Sequence, residues 1–228
     1  ESERCFRENT LGAAILAEAC ARHDVHLTTF SSDLVFDGRH QRPYVESDPV
    51  SPLNVYGRSK AQSETAVLEK HPGALVVRTS AFFGPWDEHN FVTQAIDALG
   101  NGREFAAAGD MMVTPTYVPD LVHVCLDLTI DGESGIWHLA NAGSVTWAEL
   151  ALKAAQAAGV DASRLEAKPA AECDHHAPSR AVLAAPGSLR RGPRARVVTM
   201  DGRTRDLHRR QLRDARWLHA DCHAARRF

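Results

Sequence analysis

Two residues have the types and the spacing that suit proton transfer: Tyr56 and Lys60, in the stretch PLNVYGRSK. They lie four positions apart, so on a helix their side chains share one face. A free phenol has a pKa of about 10, and a nearby lysine cation lowers that pKa by favouring the phenolate. Such a pair can act as a general acid toward a carbonyl that is being reduced. The same spacing is also typical of a solvent-exposed helix face.

Two apolar segments have the pattern of buried strands, and each contains a polar residue of interest. The first segment ends at Ser32, whose hydroxyl is placed to hydrogen-bond a substrate oxygen. The second, residues 74–84, contains Arg78, for which we expect a buried or active-site partner. Because ligands of parallel sheets bind beyond the carboxyl ends of the strands, both ends are candidate site positions.

Helical and strand patterns alternate along the chain to about residue 160. The helical patterns and the strands between them cover residues 9–22, 25–32, 55–70, 74–84, 90–99, 118–130, 136–141 and 146–158. The first helix is amphipathic, with Leu11, Ile15, Leu16 and Cys20 at helical spacing, and residues 37–54 form a loop. The alternation predicts an α/β fold with a mostly parallel sheet covered on both faces.

Composition excludes several classes of function. A net charge of -3 gives no reason to expect a nucleic acid or an anionic membrane as partner. No apolar run approaches the roughly 18 residues of a membrane span. The five cysteines are scattered without a C-x-x-C pair, which favours a reducing compartment, and we therefore expect the cytoplasm. The histidines show no metal-ligand spacing, so we expect no metal.

The block FSSDLVFDG…PYVESDPVSPLNVYGRSKAQSE, residues 30–64, resembles the central block of the extended short-chain dehydrogenases/reductases. It is most similar to the dTDP-4-dehydrorhamnose reductase family. The segments ALVVRTSAFFG and TPTYVPDLVHVCLDL continue the likeness, which covers about residues 5–160. The resemblance implies a Rossmann-type parallel sheet with a small substrate-binding subdomain.

The resemblance also implies catalytic roles for three residues. Tyr56 would donate a proton to the C4 keto oxygen of a deoxysugar nucleotide. Lys60 would lower the pKa of that phenol and hold the ribose of the nicotinamide. Ser32 would hydrogen-bond the substrate or the tyrosine. The hydride would come from NADPH or NADH, since the cofactor supplies the redox chemistry.

Binding roles are implied for five further positions. Asp33, Asn90 and Phe91 would contact the nucleotide-sugar substrate, and Asn9 and Ser31 would lie on the cofactor side, next to Tyr56 and Lys60. Asn9 matches a helix asparagine that supports a water relay to the lysine, although it could simply cap its helix. Asp33 could likewise cap its own turn.

The sequence departs from the family pattern in two ways. Leu34 and Ala81 stand where the family carries aromatic residues near the sugar pocket, which leaves the exact sugar open. No G-x-x-G-x-x-G turn, the usual pyrophosphate-binding element, occurs anywhere in the chain. We therefore expect the first strands of the sheet to be missing, the chain to be a piece of a longer protein, and NADPH binding to be weak.

Three parts follow from the resemblance. Residues 1–87 would be the carboxyl-terminal half of a dinucleotide-binding domain, and residues 88–170 a substrate-binding part with a returning helix and strand. Residues 171–228 would be a basic, poorly ordered tail, rich in arginine and without lysine. The tail has no interleaved aromatic residues for base stacking, so nucleic-acid binding is not expected.

The predicted function is reduction of dTDP-4-dehydro-L-rhamnose to dTDP-L-rhamnose, impaired in this chain. Two alternatives stay open: a non-catalytic regulatory or binding protein of the same fold, and a nucleotide-sugar epimerase or dehydratase. The expected partner is the nucleotide-sugar, with a homodimer or a fusion to a further amino-terminal segment as possible assemblies.

Overall fold

A computed structural model describes residues 2–84 and 87–173. Except for its first three residues, the predicted basic tail lies outside the described residues. The helices are α1 (Ser2–Phe6), a π-helical turn (Arg7–Leu11), α2 (Gly12–Arg22), α3 (Val55–Lys70), α4 (Phe91–Gly100), α5 (Val118–Ile130) and α6 (Trp147–Ala158). The strands are β1 (Thr28–Ser32), β2 (Leu75–Thr79), β3 (Phe82–Phe83), β4 (Phe105–Ala108), β5 (Met112–Val113), β6 (Thr116–Tyr117), β7 (Gly135–His138), β8 (Val145–Thr146) and β9 (Leu165–Lys168).

The main sheet has three parallel strands in the order β1-β2-β7. All five residues of β2, the central strand, are buried, as expected for a strand covered on both faces. Leu75 and Val77 pack under α5, whereas Val76 packs on the other face with residues of α2 and α3. The predicted α/β fold with a parallel sheet is therefore confirmed.

A second group of elements lies downstream in the chain. Strands β4 and β9 pair in parallel, and α4 and α6 pack against them over an alanine-rich core. Two short pairs complete the described strands: β3 with β6 in parallel, and β5 with β8 antiparallel. None of these strands except the β3 segment was predicted, because two-residue strands and alanine-rich strands have no distinct periodicity.

Helix α2 forms as predicted, but its largest apolar side chains are not the ones that face the core. Leu11, Ile15 and Leu16 are 55%, 60% and 54% exposed, whereas Ala17 is fully buried and Cys20 packs beside it. The small side chains on the inner face pack in one cluster with residues of α3 and of the main sheet. The predicted apolar face is therefore wrong for three of its four residues.

The predicted strand over residues 74–84 is broken in two. It leaves the main sheet after Thr79 and resumes as β3. Between the two strands Ala81 has a φ of 41°, a left-handed conformation that costs a non-glycine residue on the order of 1 kcal/mol. The break turns Ser80 toward the end of β1, where its hydroxyl contacts Asp33.

Candidate active site

Helix α3 begins immediately before Tyr56, and two local features fix that start. The side-chain oxygen of Asn54 accepts a hydrogen bond from the backbone N–H of Gly57 at 2.6 Å, which caps the helix. Gly57 packs against the carbonyl oxygen of Leu34, where a Cβ atom would lie only 2.1 Å from that oxygen. The first turn of α3 is thereby held against the turn that follows β1.

Tyr56 and Lys60 lie on the same face of α3, as their spacing predicts. The Lys60 ammonium nitrogen is 5.7 Å from the centroid of the Tyr56 ring. It donates a hydrogen bond to the Phe30 carbonyl oxygen at 3.2 Å. Within the described residues this is its one hydrogen bond, so the other N–H groups of the ammonium remain available for a ligand. Partial burial lowers the pKa of Lys60.

The pKa of Tyr56 is raised, opposite to the direction that the sequence predicts. Burial is the main cause, and the carboxylate of Asp33 adds to it by disfavouring a second negative charge. Lys60 does not offset these effects, because its ammonium is directed to the Phe30 carbonyl. Tyr56 is 41% exposed, and among the described residues its hydroxyl has no hydrogen-bond partner.

Ser32 and Asp33 form a compact polar turn at the carboxyl end of β1. The Ser32 hydroxyl accepts a hydrogen bond from the Leu34 N–H at 3.2 Å and donates to Asp33 Oδ1 at 2.9 Å. The Ser80 hydroxyl donates to the other carboxylate oxygen at 2.7 Å. Ser32, rather than Asp33, therefore caps this turn. Asp33 is 4% exposed, and its charge is compensated by hydroxyl donors.

Asn9 lies inside the π-helical turn between α1 and α2, so the helix-cap alternative for it is wrong. Its amide nitrogen donates to the Ser59 hydroxyl at 3.0 Å, and that hydroxyl donates to the Tyr56 carbonyl oxygen at 2.7 Å. Thr10 adds a hydrogen bond to the Ser59 carbonyl oxygen. π-Helical turns occur frequently at functional sites. Here Asn9 and Thr10 of the π-helical turn hydrogen-bond to Ser59 and so attach that turn to the first part of α3, which carries Tyr56.

Asn90 and Phe91 lie at the start of α4. The Asn90 side chain accepts from the Thr93 N–H, and its amide nitrogen contacts the carbonyl oxygens of Gly84 and Asp87. Phe91 packs against Phe105 and Trp147, with ring centroids 5.4 Å and 4.7 Å apart. These contacts are structural, and the predicted substrate contacts of both residues stay predictions.

Sequence reasoning missed a buried polar cluster beneath the polar turn. Arg78 pairs with Glu64 of α3, which is the buried partner expected for it. Ser31 donates to the same carboxylate, so its side chain is directed into the protein. His138 of β7 completes the cluster and is fully buried. The signal that the sequence offered was Arg78 within an apolar strand, which indicated a buried partner without identifying it.

Neither a metal site nor a membrane-spanning helix is found in the described ranges, 2–84 and 87–173. Histidine, cysteine and acidic side chains form no group of three that could hold a metal ion. No helix there is long and apolar enough to cross a membrane.

Comparison with known proteins assigns the chain to a family. A family model described as the RmlD substrate binding domain matches residues 1–186. The chain belongs to this family. Over 168 residues it is 39% identical to a dTDP-4-dehydrorhamnose reductase of Mycolicibacterium smegmatis, covering 72% of this chain and 51% of that protein. It is 35% identical to a dTDP-4-keto-6-deoxy-D-glucose reductase of Streptomyces niveus, covering 69% and 55%.

Solved structures of family members share the fold. The dTDP-4-dehydrorhamnose reductase of Bacillus anthracis, solved with NADP, is 31% identical and superposes with a TM-score of 0.73, over 80% of this chain and 64% of that one. The dTDP-glucose 4,6-dehydratase of the same organism has a TM-score of 0.69 but is 18% identical over 81% of this chain and 61% of that one, so that likeness concerns the fold alone. The Rossmann-type prediction is confirmed. This chain spans about half the length of the curated relatives it matches.

Proposed function

We propose that this chain belongs to a nucleotide-sugar reductase that converts dTDP-4-dehydro-L-rhamnose into dTDP-L-rhamnose. The observation that carries the proposal is the pairing of Tyr56 with Lys60 on one helix face, beside the Ser32 turn at the end of a parallel strand. That end of a parallel strand is where such folds bind their ligands. Family membership and the names of its reductase relatives support the same reaction.

Tyr56 is the proton donor in this proposal. Its raised pKa keeps the phenol protonated at neutral pH, which is the form that a general acid needs. Tyr56 is 41% exposed and its hydroxyl is not engaged by the described residues, so a ketone oxygen can accept from it. As the ketone is reduced, its oxygen becomes a strongly basic alkoxide, and transfer from the phenol becomes favourable. Lys60 then stabilises the phenolate that remains, once its ammonium moves from the Phe30 carbonyl toward the phenolate oxygen.

On the cofactor side, Lys60 fits a nicotinamide ribose, whereas the given sequence has no glycine-rich turn for the pyrophosphate. Lys60 retains N–H donors for ribose hydroxyls and lies against the tyrosine that must meet the substrate. NADPH or NADH would supply the hydride when bound, and the NADP-bound relative of Bacillus anthracis favours NADPH. The given sequence contains no G-x-x-G-x-x-G turn, the element that usually binds the pyrophosphate.

The remaining site assignments receive unequal support. Asp33 lies within the electrostatic reach of Tyr56, which supports a position at the sugar pocket. Asn9 supports the helical turn of Tyr56 through Ser59. The side chains of Ser31 and Asn90 are engaged in buried contacts, so any ligand contact by these two residues would have to come from their backbone.

The experiment is an assay of this chain with dTDP-4-dehydro-L-rhamnose and NADPH at millimolar concentration, followed by product identification. Formation of dTDP-L-rhamnose supports the proposal. Tight binding of the dTDP-sugar without any oxidation of NADPH would instead support the second candidate, a non-catalytic binding protein. The observation that favours this second candidate is that the Ser32 hydroxyl is already engaged by Asp33 and by the Leu34 N–H.

Assembly and location are further parts of the proposal. The division at about residues 87 and 170 is kept, with β7 as the strand that returns to the main sheet. A homodimer, or association with an additional segment, is supported by the apolar side chains exposed on α2 and α5. The cytoplasmic location is kept because of the scattered free cysteines.

A further inference from the structure

A bidentate ion pair is buried directly behind the candidate site. Arg78 of β2 donates to both carboxylate oxygens of Glu64 of α3, at 2.8 Å and 2.6 Å. The two side chains are 3% and 5% exposed. Because desolvation of both charges opposes their attraction, a buried ion pair adds little net stability compared with apolar residues of equal size. A role for this ion pair is therefore better sought in its fixed, two-bond geometry than in its contribution to stability.

The ion pair connects the helix of the Tyr-Lys pair to the strand end that faces it. Glu64 lies one helical turn beyond Lys60 and two turns beyond Tyr56. Its Oε1 atom also accepts a hydrogen bond from Ser31 at 2.5 Å. Ser31 immediately precedes Ser32 in β1, so a single carboxylate links α3 to the end of β1 and, through Arg78, to β2.

His138 extends the connection to the third strand in its neutral form. Its Nδ1 atom lies 3.1 Å from the Tyr44 carbonyl oxygen, which can only accept, so Nδ1 carries the proton. Its Nε2 atom accepts from Arg78 at 3.3 Å. Burial lowers the pKa of His138 to about 4, and the adjacent Arg78 cation acts in the same direction. The neutral ring therefore persists at neutral pH.

The loop that leads into α3 is attached to the same cluster. The Glu46 carbonyl oxygen accepts from Arg78 at 3.3 Å, and its carboxylate accepts from the His138 backbone N–H at 3.1 Å. The Phe36 ring covers the guanidinium, with 5.0 Å between the guanidinium carbon and the ring centroid. The cluster thus joins the three strands of the sheet, α3 and the loop before it.

We propose that Ser31, Glu64, Arg78 and His138 form a buried brace that positions Tyr56 and Lys60 relative to the end of β1. The inference rests on the proposed function, and its members are positioning residues, since none of them contacts the reacting atoms. A side-chain brace of this kind can fix the register of α3 on the sheet, which apolar packing between α3 and β2 alone would leave less defined. A displacement of about 1 Å at a catalytic group can cost on the order of 100-fold in rate.

The test compares Glu64→Gln with two further variants. Glu64→Gln keeps the shape but leaves the Arg78 cation buried without its counter-charge. Ser31→Ala is the milder change, because it removes one hydrogen bond and leaves the ion pair in place. Glu69→Gln is the matched control, an exposed glutamate of the same helix. For each variant, kcat and KM are measured for the folded fraction, and Tyr56 is titrated by NMR with labelled tyrosine rings.

The Tyr56 titration separates positioning from simple stability. The signal of Tyr56 is assigned by its loss in Tyr56→Phe, since the chain has three tyrosines. If α3 shifts, Tyr56 loses burial and proximity to Asp33, and its pKa falls toward about 10. A residue that only stabilised the fold would change the folded fraction and leave this pKa in place.

We expect Glu64→Gln to lower kcat about 100-fold with little change in KM. Ser31→Ala has a smaller effect in the same direction, and Glu69→Gln has none. Unchanged kcat and unchanged Tyr56 pKa in the folded brace variants would overturn the inference, and Ser31→Ala alone decides if Glu64→Gln does not fold. If the wild-type chain turns over no dTDP-sugar, the proposed function fails, and the Tyr56 titration still decides whether the brace positions the tyrosine.

Discussion

Tyr56 lies between two opposite charges, and the structure shows which of them dominates. The Lys60 ammonium approaches the face of the ring, whereas the Asp33 carboxylate raises the pKa of the phenol. The ammonium is held by the Phe30 carbonyl, and burial favours the neutral phenol as well. In this state Tyr56 is a protonated phenol. Lys60 would lower the pKa of Tyr56 only if its ammonium moved toward the hydroxyl.

Replacing Asp33 by Asn is expected to lower the pKa of Tyr56, because it removes the negative charge that disfavours the phenolate. NMR titration of labelled tyrosine rings measures the change. Asp37→Asn is the matched control: Asp37 accepts from the Tyr44 hydroxyl at 2.7 Å and raises the pKa of that tyrosine. Each substitution should therefore shift its own tyrosine. A Tyr56 signal that does not respond to Asp33→Asn would contradict this electrostatic account.

His138 predicts a pH dependence of stability. Its pKa is about 4 in the folded protein and about 6.5 in the unfolded chain, so between these values the unfolded chain binds more protons. The free energy of unfolding should therefore fall as pH decreases from 6.5 to 4, by an amount on the order of 3 kcal/mol. Glu46, Glu64 and Arg78 face the ring, and the two carboxylates moderate the shift.

Denaturant unfolding across this pH range measures the effect. The His138→Gln variant should lose most of the slope between pH 6.5 and 4. His26→Gln, a change at an exposed histidine, should keep it. Equal slopes in the wild type and in His138→Gln would show that the ring is not held neutral.

At the scale of elements, the approach of α3 to the turn after β1 depends on Gly57. A methyl group there would overlap the Leu34 carbonyl, so Gly57→Ala should displace the first turn of α3 and cost about 1–3 kcal/mol. Gly12→Ala in α2 is the control, because its nearest contact would be an ordinary 3.6 Å. That change should stabilise the helix by about 0.5–1 kcal/mol. Thermal unfolding of the two variants compares them, and a neutral Gly57→Ala would contradict the close approach.

The sequence predicted the elements whose signals are local. Helix α3 has its predicted bounds, because its helical pattern and the His71-Pro72-Gly73 stop lie in adjacent residues. The orientation of α2 was not predictable in this way. Its core-facing residues are small alanines, and whether an exposed Leu or a buried Ala faces the sheet depends on packing partners distant in sequence. The break at Ala81 likewise depends on pairing between β3 and β6.

The same distinction applies to the candidate site. The candidate residues Tyr56, Lys60, Ser32 and Asp33 were predicted from one motif, residues 30–64. The brace was not predicted as a unit. Arg78 and His138 are 60 positions apart in the sequence, and no local sequence pattern indicates that they are in contact. The direction of the Tyr56 pKa was wrong because the destination of the Lys60 ammonium is a tertiary contact.

At the scale of the whole molecule, apolar side chains are exposed on both sides of the main sheet. Ile15 on α2 is 60% exposed, and Leu126 and Ile130 on α5 are 54% and 81% exposed. Strand β1 lies at the edge of the described sheet, and Phe30 is 43% exposed there. Exposed apolar area beside a strand edge favours association.

Sedimentation velocity should therefore show concentration-dependent self-association of this chain. Ile15→Glu should weaken the association without lowering stability by more than about 0.5 kcal/mol, because the side chain is exposed. Val50→Glu, at an exposed loop position, serves as the control and should change neither property. A wild-type chain that remains monomeric at high concentration would argue against this surface as an interface.

The most direct measurement is the single-turnover reduction of dTDP-4-dehydro-L-rhamnose with the chain in excess and NADPH saturating. Tyr56→Phe removes the proton and keeps the ring, and it should slow the step about 10²–10⁴-fold. Tyr117→Phe, the corresponding change at a tyrosine outside the Tyr-Lys pair, should react at the wild-type rate. Equal rates for the wild type and Tyr56→Phe would contradict the assignment of Tyr56 as the acid.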